Sequence, residues 1–477
     1  MKKKIIKSKV KKLKFSAIVE DLREDFSKLK DARKKPNYPI EDVVISVFAM
    51  MFFQDPSLLK FQERMLLKHN RTNLETIFGV KKIPCDNQIR NILDKVDSDV
   101  LQKISFKLLS HLQRSGKLKE FINLDKYYYV AIDGTQYFTS YKCHCNKCLT
   151  AQKKGQPIRY YHNVLQATLV DPEQKFVIPL MSEEIVNDND EKSEEITSAK
   201  KLKQDSEHKA AERLLREVRK ALPKLKIIIL GDDLYSHEPM INLLKELDMS
   251  FILTAKSSSH KELSEFLKGE KSYIEKKTSR STFNISKKIM LQRLKKIGKT
   301  KNDLKAPEVK KRYYKQVQVS EYRYYNGDAP INSKYKTFVN YFEIKTYDNL
   351  TKETLFYNSW VTDLDISKNN IKKLVKAGRA RWNIENRQFL TTKKGGYNLE
   401  HNYGHGKENL SFNFYILNML AFLVHQILHI TSKDFNKFKE MEGSYLTMYE
   451  AIKWSLRYFI FETFDELILF NIEDNSS

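Results

Sequence analysis

The sequence predicts a mixed α/β protein, a sheet core interrupted by a β-rich insertion, with a helical domain before it and helices after it. Three observations carry this. Residues 127–132, 164–170 and 176–180 are closely spaced β-branched and aromatic runs. A long helical pattern and a wholly apolar strand at 226–230 follow them. From 287 to 347 the composition turns basic and tyrosine-rich. With 477 residues, 41% of them hydrophobic and 30% charged, the chain is long enough to bury more than one core.

Taken in order, Ile40 to about Gly116 reads as helical, because Val43, Val44, Val47, Phe48 and Met51 recur at intervals of three and four, as do Ile89, Ile92, Leu93 and Val96. Asp86 stands where a helix cap is expected. This makes 1–125 a helical domain, either a packing or dimerisation unit or a reader of DNA ends. The three strands follow, with Asp171-Pro172 as turn chemistry, then a helix from about Ser193 to Leu222 and the strand Lys226 to Leu230. Residues 126–255 are thus the first part of the core. In the insertion, 256–360, residues 287–315 hold twelve basic residues against two acidic ones. Val317 to Tyr325 and Tyr335 to Tyr347 are strand candidates joined by a turn at Asn326-Gly327-Asp328. Ser367 is expected to cap a helix running through Ile371 and Leu374 toward Trp382 and Glu385, which opens the second part of the core, 361–435. Helices fill 436–477.

Lys and Arg number 85 against 60 Asp and Glu, a net charge of +25. Such a field attracts polyanions, nucleic acid first and an anionic membrane surface second. Eight lysines fall in the first 14 residues, without an apolar stretch long enough for a signal peptide, so a cytoplasmic protein is expected. Leu410 to Ile430 is hydrophobic, yet Asn413, Asn418, His425, Gln426 and His429 interrupt it, as in a buried core helix rather than a membrane span.

Three carboxylates stand out. Asp133 closes the apolar run Val130-Ala131-Ile132, and Asp232 closes Ile229-Leu230-Gly231, with Asp233 beside it. Ligands bind at the carboxyl ends of strands in open α/β sheets, although Asp-Gly and Gly-Asp also serve as ordinary turns. Glu385 lies in Arg381-Trp382-Asn383-Ile384-Glu385, where Trp382 and Ile384 are expected to anchor the helix and Arg381 to share the glutamate's face. Three acids on separate elements can hold two Mg²⁺ or Mn²⁺ ions for phosphodiester chemistry.

Cys143, Cys145 and Cys148 crowd into six residues, a spacing that suits a structural Zn²⁺ better than disulfides, with His162 rather than His144 as the fourth ligand. His401 and His405 are candidates for a position near DNA or the active centre, whereas His425 and His429 read as core histidines. Lys310, Lys311 and Arg312, next to Tyr313 and Tyr314, fit phosphate contacts with stacking on an unpaired base.

With Ala131-Ile132-Asp133-Gly134-Thr135, Gly231-Asp232-Asp233-Leu234-Tyr235, the Arg381-to-Glu385 block and Gly395-Gly396-Tyr397-Asn398-Leu399-Glu400-His401-Asn402, the chain resembles DDE transposases of bacterial insertion sequences over about residues 80–430. The resemblance implies an RNase H-like core with a β-rich insertion before the glutamate helix. It implies Asp133, Asp232 and Glu385 as ligands of two Mg²⁺ or Mn²⁺ ions. Asp232 is favoured because the family's second acid stands three residues before an aromatic, here Tyr235, and Asp233 stays the alternative. One subgroup has Tyr-x2-Arg-x3-Glu-x6-Lys. Arg381 and Glu385 match it, Gly378 and Thr392 depart from it, and Lys393 and Lys394 fall one and two residues late, offering DNA contacts together with Arg381. The implied activity is cleavage of double-stranded DNA at the element's terminal repeats, then strand transfer into target DNA by a homodimer holding two ends. The competing readings are an RNase H-like nuclease without strand transfer and a catalytically silent DNA-binding regulator.

Overall fold

The structure, a computed structural model, describes residues 11–186, 199–270, 274–303, 313–331 and 337–474. It divides into two compact units. The first is built from the chain up to Leu225 and again from Trp382 onward, and the second is Lys226–Arg381.

Among the described residues the first unit opens with the helices α1 (Phe15–Phe26), α2 (Ile40–Phe52), α3 (Leu58–Met65), α4 (Lys68–Phe78), α5 (Asp86–Leu93) and α6 (Ser98–Arg114). Asp86 sits inside the first turn of α5 and not at its cap, which is Cys85, and it pairs with Arg90 one turn on. The strands β1 (Ile122–Asn123), β2 (Tyr127–Ser140), β3 (Leu149–Ala151), β4 (Arg159–Val170) and β5 (Ile178–Ile185) are all antiparallel. β2 lies along one edge of β4, while β3 and β5 share the other. Asp171 makes the β4–β5 turn by accepting the backbone N–H groups of Glu173 and Gln174. Helix α7 (Ala199–Ala221) follows, its buried face formed by Ala211, Leu214, Leu215 and Val218.

In the second unit β6 (Lys226–Gly231) runs parallel to β7 (Ser250–Thr254), with α8 (Glu238–Glu246) as the crossover. The sheet continues in the order β7-β11-β10-β9-β8, all antiparallel, where β8 is Glu275–Ser286, β9 Tyr313–Pro330, β10 Phe338–Asp348 and β11 Thr354–Thr362. Helices α9 (Lys261–Gly269) and α10 (Lys287–Lys296) precede β8 and follow it. The expected turn at 326–328 does not exist: β9 continues through it, because Ala329 and Pro330 still pair with Val339 and Phe338. Asp348 at the end of β10 holds α10 through a two-pronged, buried pair with Arg293, at 2.8 and 2.7 Å.

The last helix of this unit, α11, is Ile371–Ala380. Ser367 does not cap it directly but forms the turn before it, its hydroxyl accepting from Asn370 N. A Cβ at Gly378 would stand 2.6 Å from the ring of Trp360, itself stacked on Phe342. That contact accounts for the glycine where a tyrosine would match the subgroup pattern.

The chain re-enters the first unit through a π-helical segment, Ile384–Phe389, and α12 (Leu390–Lys394), then forms α13 (Leu410–Thr431), α14 (Lys433–Glu442), α15 (Tyr445–Tyr458) and α16 (Phe464–Asp474). Helix α13 is long and apolar enough to cross a membrane, but it is a core helix, buried along almost its whole length and packed on α2. His425 is satisfied inside this core by the hydroxyls of Tyr397 and Tyr449. Helices α1 and α16 meet where Phe15 packs on Phe464 at 4.3 Å.

Asp94 governs the entry to α13. Its carboxylate accepts the backbone N–H groups of Lys407, Glu408, Asn409 and Leu410 at 3.0 to 3.2 Å. Burial works against the charge, but these donors prevail and hold the carboxyl below its ordinary value of 3.8. A lowered pKa stabilises the fold above the unfolded value, and that stability disappears as pH falls through the folded one. Asp94→Ala should therefore cost about 3 kcal/mol in denaturant unfolding at pH 7. Asp94→Asn should lose less, and its deficit should shrink as pH falls below 4. A deficit independent of pH would show that charge is not what Asp94 contributes.

Candidate active site and metal centre

Asp133 does not terminate its strand as the apolar run suggests. It is half-buried in the middle of β2, paired with Gln166 of β4, and the strand continues to Ser140. Side chains alternate along a strand, so Asp133 shares a face with Ala131, whose partner on β4 is Thr168. On that face Gln388 accepts a hydrogen bond from Thr168 at 2.6 Å. Gln388 belongs to the π-helical segment that packs against β2 and carries Glu385. Asn383 ties the same segment to the β4–β5 turn, donating to Asp171 O at 2.8 Å. Asp133 and Glu385 are thus brought onto neighbouring elements of one unit. The π-winding from Ile384 departs from the α-helical spacing expected of Arg381 and Glu385, and π-segments of this kind are frequent at functional sites. Ile384 anchors the segment as expected, whereas Trp382 does not, being 50% exposed.

Asp232 belongs to the second unit and follows the last residue of β6. Gly231 precedes it because a Cβ there would stand 2.8 Å from Leu253. Asp232 caps the 3₁₀ turn Asp233–Tyr235 by accepting from Leu234 N at 2.9 Å. Asp233 has a different task. Its carboxylate accepts from Lys256 N at 2.6 Å and lies 3.4 Å from His260 Nε2. Burial opposes its ionisation, and hydrogen bonds from His260, Lys256 and Ser259 hold it below the usual carboxylate range.

The expected DNA-contacting residues are scattered. Arg381 is buried at the C-cap of α11, Lys393 pairs with Glu400 at 2.9 Å, and Lys310, Lys311 and Arg312 lie outside the described residues. Lys394 alone lines a large cleft of the first unit, about 1010 Å³, bordered by Asn386, Arg387, Lys175 and Lys439. Arg387 Nη1 is buried without a hydrogen-bond partner among the described residues. The sequence reading missed Lys175, Arg387 and Lys439, since no spacing links them. Only the adjacency of Arg387 to Glu385 was available as a signal.

The sulfur and imidazole donors converge elsewhere in the first unit. Cys145, Cys148, His162 and His405 each offer one atom, all within 4.8 Å of one another. This set corrects the expectation in one place: Cys143 is exposed and lies outside the cluster, and His405 takes the place assigned to it. The physical reason is local. Cys148 N closes a tight turn on Cys145 O, which points those two sulfurs together, while Cys143 precedes the turn and is held by its backbone to Ser140 Oγ.

Residues 190–423 match the family described as Transposase DDE domain, a stretch that contains Asp232 and Glu385 and begins after Asp133. No curated protein matches the chain. If Asp232 has the chemical role and Asp233 the structural one, the two variants will separate. Asp232→Asn should leave the thermal midpoint within about 2 °C of wild type, and Asp233→Ala should lower it by several degrees, since a typical 1–2 kcal/mol loss shifts a domain of this size by roughly 2–8 °C. Equal shifts would remove the distinction.

Proposed function

Because the chain carries a transposase DDE domain, and such domains cut nucleic acid, we propose that it is the transposase of an insertion sequence. In this reading it binds the terminal repeats of its element as a cytoplasmic homodimer, hydrolyses a phosphodiester at each end, and uses the freed 3′-hydroxyl to attack target DNA. Asp133, Asp232 and Glu385 are the carboxylates that hold the metal. Three carboxylates are a hard oxygen donor set suited to Mg²⁺ or Mn²⁺, and two such ions supply activation of the attacking oxygen and stabilisation of the leaving one. The observation that carries the reading is the seating of Glu385 on a π-helical segment packed against the strand of Asp133.

The remaining contributions come from positioning and charge. Lys175, Arg387, Lys394 and Lys439, outnumbering Glu173 and Glu440, border the cleft that the Glu385 segment lines through Asn386 and Arg387, and they neutralise phosphates there. Asp233, occupied by Lys256 and His260, fixes the turn that presents Asp232. No covalent enzyme intermediate is required, because water and then the DNA 3′-hydroxyl are the nucleophiles.

The test is cleavage of labelled DNA bearing the gene's own flanks, in Mg²⁺ or Mn²⁺. Wild type should nick at the element boundary and join the freed ends to a target. Asp133→Asn, Asp232→Asn and Glu385→Gln should each cut at least ~10²-fold more slowly while binding within a few-fold of wild type. Boundary cutting without joining would instead support a nuclease, and binding without cutting a regulator. Binding should also weaken by roughly 10³-fold or more between 50 and 200 mM salt if about six phosphates are contacted. A nearly flat salt dependence would contradict a charge-driven cleft.

A further inference from the structure

The cysteine–histidine cluster lies apart from the carboxylates in sequence and chemistry, and its geometry is that of a coordination shell. A tetrahedral Zn²⁺ site with Zn–S near 2.3 Å and Zn–N near 2.0–2.1 Å has edges of about 3.8 Å between sulfurs, about 3.6 Å between sulfur and nitrogen, and about 3.4 Å between nitrogens. The edges here are 3.9 Å for Cys145 Sγ to Cys148 Sγ, 3.5 and 3.3 Å from those sulfurs to His162 Nε2, 3.4 Å from Cys148 Sγ to His405 Nε2, and 3.1 Å between the two Nε2 atoms.

Both imidazoles are also oriented as ligands. Each turns Nε2 inward: His405 Nδ1 faces Gly406 O at 3.0 Å, and His162 Nδ1 stands 3.3 Å from Glu184 Oε1, in ion-pair contact but outside hydrogen-bond geometry. Glu184 is held in turn by the hydroxyl of Tyr137 at 2.6 Å. An acceptor on the outer nitrogen fixes the tautomer that leaves the inner one free to bind metal. Gly406 has φ +69°, and a Cβ there would stand 2.3 Å from Asp94 Oδ1, so only glycine can place the His405 acceptor while Asp94 holds the loop.

We propose that Cys145, Cys148, His162 and His405 form a structural Zn²⁺ centre, with Glu184 and Gly406 O orienting its two imidazoles, and that the ion fastens the 401–409 loop to strand β4 and to the turn ahead of β3. Two thiolates with two imidazoles favour Zn²⁺ over Mg²⁺ or Mn²⁺. Two ligands come from the connection between β2 and β3, one from β4, and the fourth from the loop ahead of α13, 243 residues away from His162. Lys147, inside the cysteine turn, strengthens the same attachment by reaching Glu408 O and Asn409 Oδ1. The centre is saturated by protein, so it has no position for substrate and takes no part in DNA cleavage.

The full-length protein, purified under reducing conditions without chelator, should contain one Zn²⁺ per chain by elemental analysis. Replacement by Co²⁺ should give the visible bands of a tetrahedral ion with two thiolates. His405→Ala and Cys148→Ser should lose the metal, and Cys143→Ser should retain it. Glu184→Gln should retain stoichiometric metal but release it to a competing chelator ~10–100-fold more readily, a readout that mere misfolding does not produce. Should the buried-site variants not fold, the wild-type Co²⁺ spectrum and the Cys143→Ser stoichiometry still decide. Protein that takes up neither Zn²⁺ nor Co²⁺, or forms a Cys145–Cys148 disulfide in its place, would overturn the proposal, as would metal lost with Cys143 and kept without His405. None of these readouts depends on DNA cleavage, so the transposase reading and the zinc centre stand or fall separately.

Discussion

The carboxylate of Asp94 is the contact on which the first unit turns. One buried acid collects four consecutive backbone donors at the start of α13, where the N-terminal end of a helix has no partners of its own. Those donors belong to the segment that follows the glutamate-bearing turn, and Asp94 belongs to the N-terminal helices. The bond therefore joins early and late parts of the chain. Nearby contacts reinforce it: Asn413 donates to Leu93 O and Val96 O, and Arg90 donates to Tyr403 O. With α13 fixed at its start, its side chains reach the sheet, where Tyr415 donates to Gln166 on β4 at 2.9 Å. Gln166 is the cross-strand partner of Asp133. The cross-strand neighbour of a candidate catalytic acid is thus held by a side chain that sits little more than one turn along α13 from the Asp94 cap.

Where local pattern and tertiary partner agree, the fold was legible. Helices α2 and α13 and strands β4 and β6 are such cases, because each buries one or both faces and so displays an apolar period. Where a partner overrides local chemistry, the sequence misleads. Asp133-Gly134 resembles a strand end, yet Gln166 and Leu165 pair with it and carry β2 onward. Asn326-Gly327-Asp328 resembles a hairpin turn, yet pairing beyond it keeps the segment extended. Trp382 resembles a core anchor, but the core contacts of its segment are made by Ile384 and Gln388.

The candidate sites divide along the same line. Cys145 and Cys148 announce themselves by spacing, since two sulfurs three residues apart meet in a single turn. His405 does not, because no periodicity links it to His162, and Cys143, two residues before Cys145, was the nearer candidate. The carboxylates were legible as acids closing apolar runs. The resemblance favoured Asp232 over Asp233 by its spacing to Tyr235, and the structure adds what each oxygen already holds. The cleft lined by Arg387 is assembled from residues in four separate stretches of chain, so charge counting gave its sign and not its members.

The first unit is written in two instalments, and this has a consequence for how the chain is made. A ribosome adding about 5–20 residues per second needs roughly 8–30 s to pass from Leu225 to Trp382. During that interval the second unit is continuous and free to fold, while helix α2 lacks α13 to cover it and Asp94 lacks its four donors. The greasy face of Ile40–Phe52 is then a natural substrate for a holdase chaperone. Assembly of the first unit is bound to be late and rich in long-range closure, which is the slow regime of folding. A truncation ahead of α13 would therefore leave a finished second unit attached to a first unit that never closes.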